Sequence, residues 1–188
     1  MRAAAPDRPL EFTLPEAEAA YAVFLQGSLS AIELRSFLDR GLPHWLAQLD
    51  PVIAPAVRNA ESVSATDYLT RLARLRALAR SAAPRLDAVD VIASPTLCLT
   101  PPLMSDVADA DSHLRVNRRI VRNTVAANYL GLCAITLPVG RDRAGMPVGL
   151  QLTAPANVEE RLLAIALAAE RVLGTAADRL GTPPLLAS

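Results

Sequence analysis

The acidic stretch DVADADSH, residues 106–113, holds the densest group of side chains with ligand or acid–base chemistry. Asp106, Asp109, Asp111 and His113 are oxygen and nitrogen donors of the kind that bind metal ions. Their spacing does not match a calcium-binding loop, because the central glycine of that pattern is missing. We therefore expect no metal site here and interpret the stretch as part of a solvated loop that covers residues 97–112.

Nucleophilic side chains occur in the same stretch and at two cysteines. The consecutive residues Asp111, Ser112 and His113 include the residue types of a hydrolytic triad. Triad members converge from separate elements, and no nucleophile-elbow glycines flank this serine, so we assign no triad. Cys98 and Cys133 lie far apart in apolar surroundings and are interpreted as buried, unreactive thiols. A disulfide between them and a reactive thiol are the alternatives.

The amino-acid composition argues against several classes of function. The chain has 188 residues, a hydrophobic fraction of 52% and a formal net charge of +0, which favours a packed domain without affinity for nucleic acid or an anionic membrane. All 19 basic residues are Arg, so a Schiff-base Lys or a Lys general base is excluded within this chain. No signal-peptide core or bilayer-length apolar run is present, and we expect a cytoplasmic protein. No cofactor is expected.

The first half of the sequence is predicted to be mainly helical. Pro15 suits the first turn of a helix that reaches about Gly27. Ser30 followed by Glu33 predicts the capping box of a second helix. Apolar positions at helical spacing predict a long helix over residues 64–83, and the proline-rich segment before it is interpreted as a helical turn plus a loop.

Short apolar runs predict strands in the second half. DAVDVIASPT is typical of a buried strand with Thr96 at its C-terminal end, and residues 112–129 are predicted to be helical. CAITLPV and MPVGLQLTA, which are separated by the turn GRDRAG, show little alternation. That pattern favours two strands buried on both faces, as in a sheet covered by helices.

A last helix is predicted after the strands. Asn157 and Glu160 form a capping-box-like start, and Gly174 provides the stop. The order β–α–β–β–α after a helical half predicts an α/β fold with a mixed sheet. We expect an irregular lead-in over residues 1–14, one domain over 15–174 and an irregular tail over 175–188.

Three strings of this sequence form a longer, ordered pattern: DVIASPT, RNTVAANYLGLCAITLPVG and AGMPVGLQLTAPANVEERLLAIALAAERVLG. They resemble the C-terminal region of amidase-signature enzymes, a family that includes bacterial amidases and allophanate-type hydrolases. The resemblance is strong over residues 87–174 and looser over residues 14–86. The ordered positions that carry it are Asn128, Gly131, Pro138, Gly140, Gly145, Pro147, Gly149 and Gln151. It implies hydrolysis of a carboxylic amide or a related C–N bond.

The resemblance also implies a catalytic apparatus that this sequence does not match. Family members use a Ser nucleophile, a second Ser on a cis peptide and a Lys base, and the nucleophile sits in a Gly- and Ser-rich segment of the N-terminal half. This chain has no Lys and no Gly-Gly-Ser-Ser-like run. No catalytic residue is therefore assigned, and the chain is expected to support a pocket in an intact enzyme without being active alone.

Four residues are the candidates for the wall of that pocket. They are Thr96, Asn123, Thr124 and Asn128. Hydrogen bonding at strand and helix ends is the alternative explanation for each of them. In glutamine-specific relatives an Asp precedes the matching Asn by seven residues; Val121 stands at that position here, which argues against that substrate class. The substrate expected for the intact enzyme is a small-molecule amide.

Two other functions stay open from the sequence. The chain is alternatively a non-catalytic interaction module that pairs with another subunit through an open sheet edge, and such an edge predicts self-association. A separate small enzyme that uses His113 or Cys98 is the third hypothesis.

Overall fold

The computed structural model describes residues 10–181, and its first half is helical, as predicted. The helices are α1 (Pro15–Leu25), α2 (Leu29–Gly41), α3 (Ala54–Asn59) and α4 (Ala65–Leu86), with 3-10 turns at Pro43–Gln48 and Ala60–Ser62. Most of the expected lead-in lies outside the described residues.

The second half combines three strands with four helices and one 3-10 turn in the described range. The elements are β1 (Ile92–Pro95), a 3-10 turn (Met104–Val107), α5 (Ala110–Ile120), α6 (Arg122–Leu130), β2 (Cys133–Arg141), β3 (Pro147–Ala154), α7 (Glu159–Leu173) and α8 (Ala176–Leu180). The α/β class is confirmed. Within residues 10–181, no helix has both the length and the apolar character needed to cross a bilayer.

Two predicted capping boxes are wrong. Helix α2 begins at Leu29, so Ser30 lies inside its first turn, and the Ser30 and Ser28 hydroxyls hydrogen-bond to each other at 2.6 Å. Asn157 has a φ of 61°, the left-handed conformation that Asn tolerates, and it turns the chain between β3 and α7. A box does form at Thr175, whose hydroxyl accepts from the backbone N–H of Asp178 and starts α8 in the tail expected to be irregular.

The single helix predicted over residues 112–129 is two helices. Val121, with φ −81° and ψ −1°, separates α5 from α6. Its N–H donates to the Asn117 carbonyl at 3.0 Å and its carbonyl accepts from the Val125 N–H at 2.8 Å, so Val121 closes the last turn of α5 and opens the first turn of α6. Apolar periodicity does not reveal such a break, because Val121 is neither Gly nor Pro and the helical pattern resumes directly after it.

The sheet has the order β1–β3–β2, and both pairings are antiparallel. The prediction of a mixed sheet is therefore wrong for the described residues. The short turn between β2 and β3 forces those two strands to run antiparallel, and β1 pairs with the free side of β3 in the opposite direction. Strands β1 and β2 run the same way but are separated by β3. In β2 only Leu137 is buried, so the expected burial on both faces is also wrong for this strand.

Two apolar clusters hold the layers together. One joins α1, α2, α4 and α6; the other joins α7 to one face of the sheet. The buried members of the first are Ala20, Val23, Leu29, Leu75 and Leu130. Those of the second are Leu137, Leu152, Ala154, Leu162 and Ala166.

A buried carboxylate fastens α1 to α4. Glu16 is 5% exposed, accepts from the Ser81 hydroxyl at 2.9 Å and lies 3.5 Å from the Arg85 guanidinium. Its own backbone N–H, Ser81 and Arg85 lower the pKa of this carboxyl below its ordinary value, although burial acts in the opposite direction. The carboxylate is therefore held in its charged form between the two helices.

Gly149 in the central strand allows two threonines from the outer strands to meet. Thr96 follows β1 and donates its N–H to the Gly149 carbonyl at 2.9 Å, and Thr136 lies on β2. The two hydroxyl oxygens are 3.1 Å apart. A Cβ at position 149 would lie 2.7 Å from Thr136 Cγ2 and 2.7 Å from Thr96 Oγ1. Glycine is required here by close approach rather than by backbone conformation.

We expect Gly149→Ala to lower the free energy of unfolding by about 1–3 kcal/mol, because the added methyl group overlaps both threonines. Chemical denaturation followed by circular dichroism measures the change. Gly41→Ala is the matched control, since a Cβ at that helix-terminal position meets nothing within 4 Å and should leave stability equal or slightly higher. The double variant Thr96→Ala, Gly149→Ala should regain part of the free energy of unfolding that Gly149→Ala loses. Equal stability of Gly149→Ala and the unaltered chain would contradict the close-approach explanation.

Candidate functional site

The face of the sheet opposite α7 is polar near its centre. In β3, Leu150, Leu152 and Ala154 point towards α7, so Gln151 and Thr153 point the other way. Both of these polar residues are buried, and the Gln151 amide nitrogen donates to the Thr153 hydroxyl at 3.2 Å. Buried polar side chains on a sheet face are costly unless they are hydrogen-bonded, so they mark a surface with a specific role.

The neighbouring strands extend this polar face. Ser94 of β1 and Thr136 of β2 lie in register on either side of Gln151. Ile92 and Ala134 flank Thr153 in the same way. The result is a row of three polar side chains across the sheet, beside a second row in which Thr153 lies between two apolar residues.

A cavity of about 160 Å³ lies over this polar face, between the sheet and helices α1 and α6. Gln151, Thr153 and Ser94 form its floor, and Asn123 and Arg122 of α6 are part of its wall. It is small for a drug-sized ligand but has room for water or a small polar group.

Asn123 ties α6 to the loop after β1. Its amide nitrogen donates to the Pro95 carbonyl at 2.6 Å, and its amide oxygen accepts from the Cys98 thiol at 3.2 Å. The side chain therefore closes the end of β1 as well as lining the cavity. The hydrogen bonds of the alternative explanation are present, and the role of Asn123 in a substrate pocket stays a prediction.

The cysteines form no disulfide. Cys98 is exposed, so its interpretation as a buried thiol is wrong; the loop that carries it leaves the sheet at its surface. Cys133 is half-buried and donates to the Pro155 carbonyl at 2.9 Å.

Thr124 and Asn128 line a second, larger cavity of about 520 Å³ on another side of α6. The Thr124 hydroxyl also donates to the Val121 carbonyl at 3.0 Å, and Asn128 is exposed. Thr96 lies at neither of these cavities, because its hydroxyl meets Thr136 above Gly149. The four candidates thus divide among three places, and only Thr124 and Asn128 share one.

The acidic stretch supplies helix caps. The Asp109 carboxylate accepts from the backbone N–H groups of Asp111 and Ser112 at 3.0 and 2.9 Å and begins α5. The Ser112 backbone and hydroxyl lower the pKa of Asp109 below its ordinary value. The stretch expected to be a loop is therefore helical from Ala110. Among the described residues, no group of three or more His, Cys, Asp or Glu is placed to hold a metal ion.

Sequence reasoning missed several residues of these surfaces. Ser94, Thr153 and Arg118 were given no role, and Gln151 was noted only as part of a resemblance. A signal was present in β3, where Gln151 and Thr153 alternate with apolar residues. Arg118 carries no local signal, because several arginines surround it in the sequence.

Comparisons with known proteins agree with this arrangement. The family model named Amidase matches residues 20–163. A 2-amino-5-chloromuconic acid deaminase of Comamonas testosteroni is 42% identical over 176 residues, which is 94% of this chain and 38% of the relative. A fatty acid amide hydrolase of Arabidopsis thaliana is 34% identical over 113 residues, 59% of this chain and 19% of the relative. The chain spans well under half the length of these relatives.

Solved structures show the same likeness. A crystal structure of an amidase superposes with a TM-score of 0.71 at 25% identity, covering 87% of this chain and 37% of that one. The structure of a 6-aminohexanoate cyclic dimer hydrolase gives a TM-score of 0.62 at 22% identity, covering 92% of this chain and 43% of that one. The second comparison bears on the fold only.

We expect Asn123→Ala to increase the rate at which Cys98 reacts with a thiol reagent, because the substitution removes both hydrogen bonds that hold the loop after β1. The rate is measured by thiol titration in a Cys133→Ala background, so that only Cys98 reacts. Asn128→Ala, an exposed residue of the same helix without a bond to this loop, should leave the rate unchanged. Equal rates for Asn123→Ala and Asn128→Ala would contradict the anchoring role of Asn123.

Proposed function

This chain belongs to the amidase family, and on that premise we propose that it forms the pocket-shaping part of an enzyme that hydrolyses a C–N bond of a small molecule. The observation that carries the proposal is the two-sided sheet: one face packs on α7, and the other presents buried Gln151 and Thr153 beneath a cavity. Such a floor is suited to positioning a polar ligand.

The reaction proposed for the intact enzyme, written for a carboxylic amide, begins with attack of a serine hydroxyl on the amide carbonyl carbon. The nitrogen then leaves with a proton as ammonia or an amine, and water releases the acyl group from the serine. The base that accepts the serine proton in this family is a Lys, and this sequence contains none. We propose that serine and base both come from polypeptide outside these 188 residues, so the chain alone is inactive.

The roles proposed for the candidate residues follow their positions. Thr124 and Asn128 present a hydroxyl and an amide to the larger cavity and are proposed to contact substrate there. Asn123 is proposed to hold the loop after β1 in place beside the smaller cavity. Thr96 is proposed to fix the end of the polar sheet face through Thr136.

A graft tests the proposal. The purified chain should release no ammonia from benzamide or from 2-amino-5-chloromuconic acid. The same chain, fused behind the N-terminal portion of the Comamonas deaminase that it does not match, should hydrolyse the deaminase's substrate. The isolated N-terminal portion is the control and should be inactive.

Two results would overturn the proposal. Turnover that follows the chain alone through repeated purification would refute its inactivity. A fusion that folds, by circular dichroism and a cooperative melt, but releases no ammonia would refute the pocket-shaping role.

A second candidate function is a non-catalytic module that pairs with another subunit. The observation that favours it is apolar surface on α7, where Leu163, Leu167 and Val172 are 53%, 56% and 85% exposed. Strands β1 and β2 also stand at the two edges of the described sheet. Apolar surface beside open strand edges promotes association.

On this second proposal the chain self-associates, and sedimentation velocity should show larger species as its concentration rises. A Leu163→Glu, Leu167→Glu double variant separates the two surfaces. Association that survives in this variant points to the sheet edge, whereas its loss points to α7. A monomer at every concentration would refute self-association.

A further inference from the structure

The larger cavity is walled by the face that α5 and α6 share. Five residues of these two helices line the cavity: Leu114, Asn117, Arg118, Val121 and Thr124. They follow one another at spacings of one or three residues, and both helices contribute to the same wall although the helix is interrupted at Val121. The α5–α6 pair therefore presents one continuous wall.

The opposite wall comes from the helical first half. Phe24 at the end of α1, Ile32 of α2 and Val63 before α4 contribute apolar surface, and Asn59 contributes an amide. The volume of about 520 Å³ is within the range of small-molecule sites. The cavity thus combines apolar walls with a few polar groups.

The described residues that line the cavity carry positive charge and no negative charge. Of the described residues that line it, Arg118 alone is charged; none is Asp or Glu. Helix α2 also begins at this cavity, with Ser28 and Ser30 at its rim, so the positive end of the helix dipole adds to the field. The cavity therefore favours an anionic ligand over a cationic one.

Arg118 is available for such a ligand. Its guanidinium forms no ion pair within residues 10–181, whereas Arg122, one helical turn further along, pairs with Glu18 and lies over the Tyr21 ring. The Arg118 backbone is fixed separately, because its carbonyl accepts from the Tyr21 hydroxyl at 2.9 Å. The backbone is held, while the charged group has no acidic partner in the part of the chain that the structure describes.

We propose that this cavity binds a small organic carboxylate and that the Arg118 guanidinium receives the carboxylate group. A planar guanidinium matches a carboxylate in a two-bond geometry. The apolar walls then hold the hydrocarbon part of the ligand. The inference deepens the proposed function by making the substrate class carboxylate-bearing small molecules, and it rests on that function in treating this cavity as the substrate side.

The test compares two probes of one shape that differ in charge. Benzoate and benzamide are titrated into the complete 188-residue chain by ligand-observed NMR. We expect benzoate to bind about tenfold more tightly, as one charge-assisted pair would give, and to lose affinity as salt is raised.

Three variants test whether Arg118 causes the preference for benzoate. Arg118→Gln should abolish the preference for benzoate, and Arg118→Lys should keep most of it. Arg119→Gln is the matched control, since Arg119 is exposed on the same helix and does not line the cavity, and it should retain the preference. Melting curves confirm that each variant is folded.

Equal affinities for the two probes, no binding of either, or a preference that persists in Arg118→Gln would overturn the proposal. These results are separable from the graft experiment. A charge preference in a chain whose fusion releases no ammonia would refute the proposed reaction and leave the carboxylate site intact. An active fusion without a charge preference would refute the carboxylate site and leave the proposed reaction intact.

Discussion

Strand β3 is hydrogen-bonded on both sides, to β1 and to β2, and each of its faces meets a different environment. Its even-numbered residues from Leu150 to Ala154 complete the apolar cluster with α7. Its odd-numbered residues, Gln151 and Thr153, are buried beneath the smaller cavity. A register slip of one residue would exchange these sets, placing a glutamine against α7 and leucines under the cavity. Gly149 restricts the register further, because only a residue without a Cβ lets Thr96 and Thr136 meet across it.

Helix α6 is positioned by this sheet and separates the two cavities. Asn123 faces the smaller cavity and bonds to the carbonyl at the end of β1, while Thr124, the next residue, lines the larger cavity. Consecutive residues on a helix are about 100° apart around its axis, so one helical turn can place side chains at both cavities. Tyr129 fixes the other end, since its hydroxyl accepts from the backbone N–H of Leu29 at 3.1 Å. Both cavities thus depend on the placement of one short helix.

The sequence predicts most of the elements and little of the site. Periodicity and β-prone runs locate α1, α4, α7 and the two long strands, because these features are local. The direction of β1 relative to β3 is set by pairing between segments far apart in the chain and leaves no local trace. The capping boxes predicted at Ser30 and Asn157 are wrong, because α2 starts after Ser28 and α7 starts after Val158. The division of Thr96, Asn123, Thr124 and Asn128 among separate surfaces likewise cannot be predicted from sequence spacing, because it depends on how α6 is rotated against the sheet and on the approach of the first helical half.

The contrast between Arg118 and Arg122 shows how the cavity keeps a charge available for a ligand. The two are four residues apart, yet Arg122 turns towards α1, where it pairs with Glu18 and lies over the Tyr21 ring. Arg118 borders the larger cavity, where no described lining residue is acidic. Thr124 and Asn128 line the same cavity from α6, and Val121 and Val125 lie beside them. A ligand anchored by its carboxylate at Arg118 would therefore have apolar side chains beside its hydrocarbon part and hydroxyl and amide groups within the same cavity.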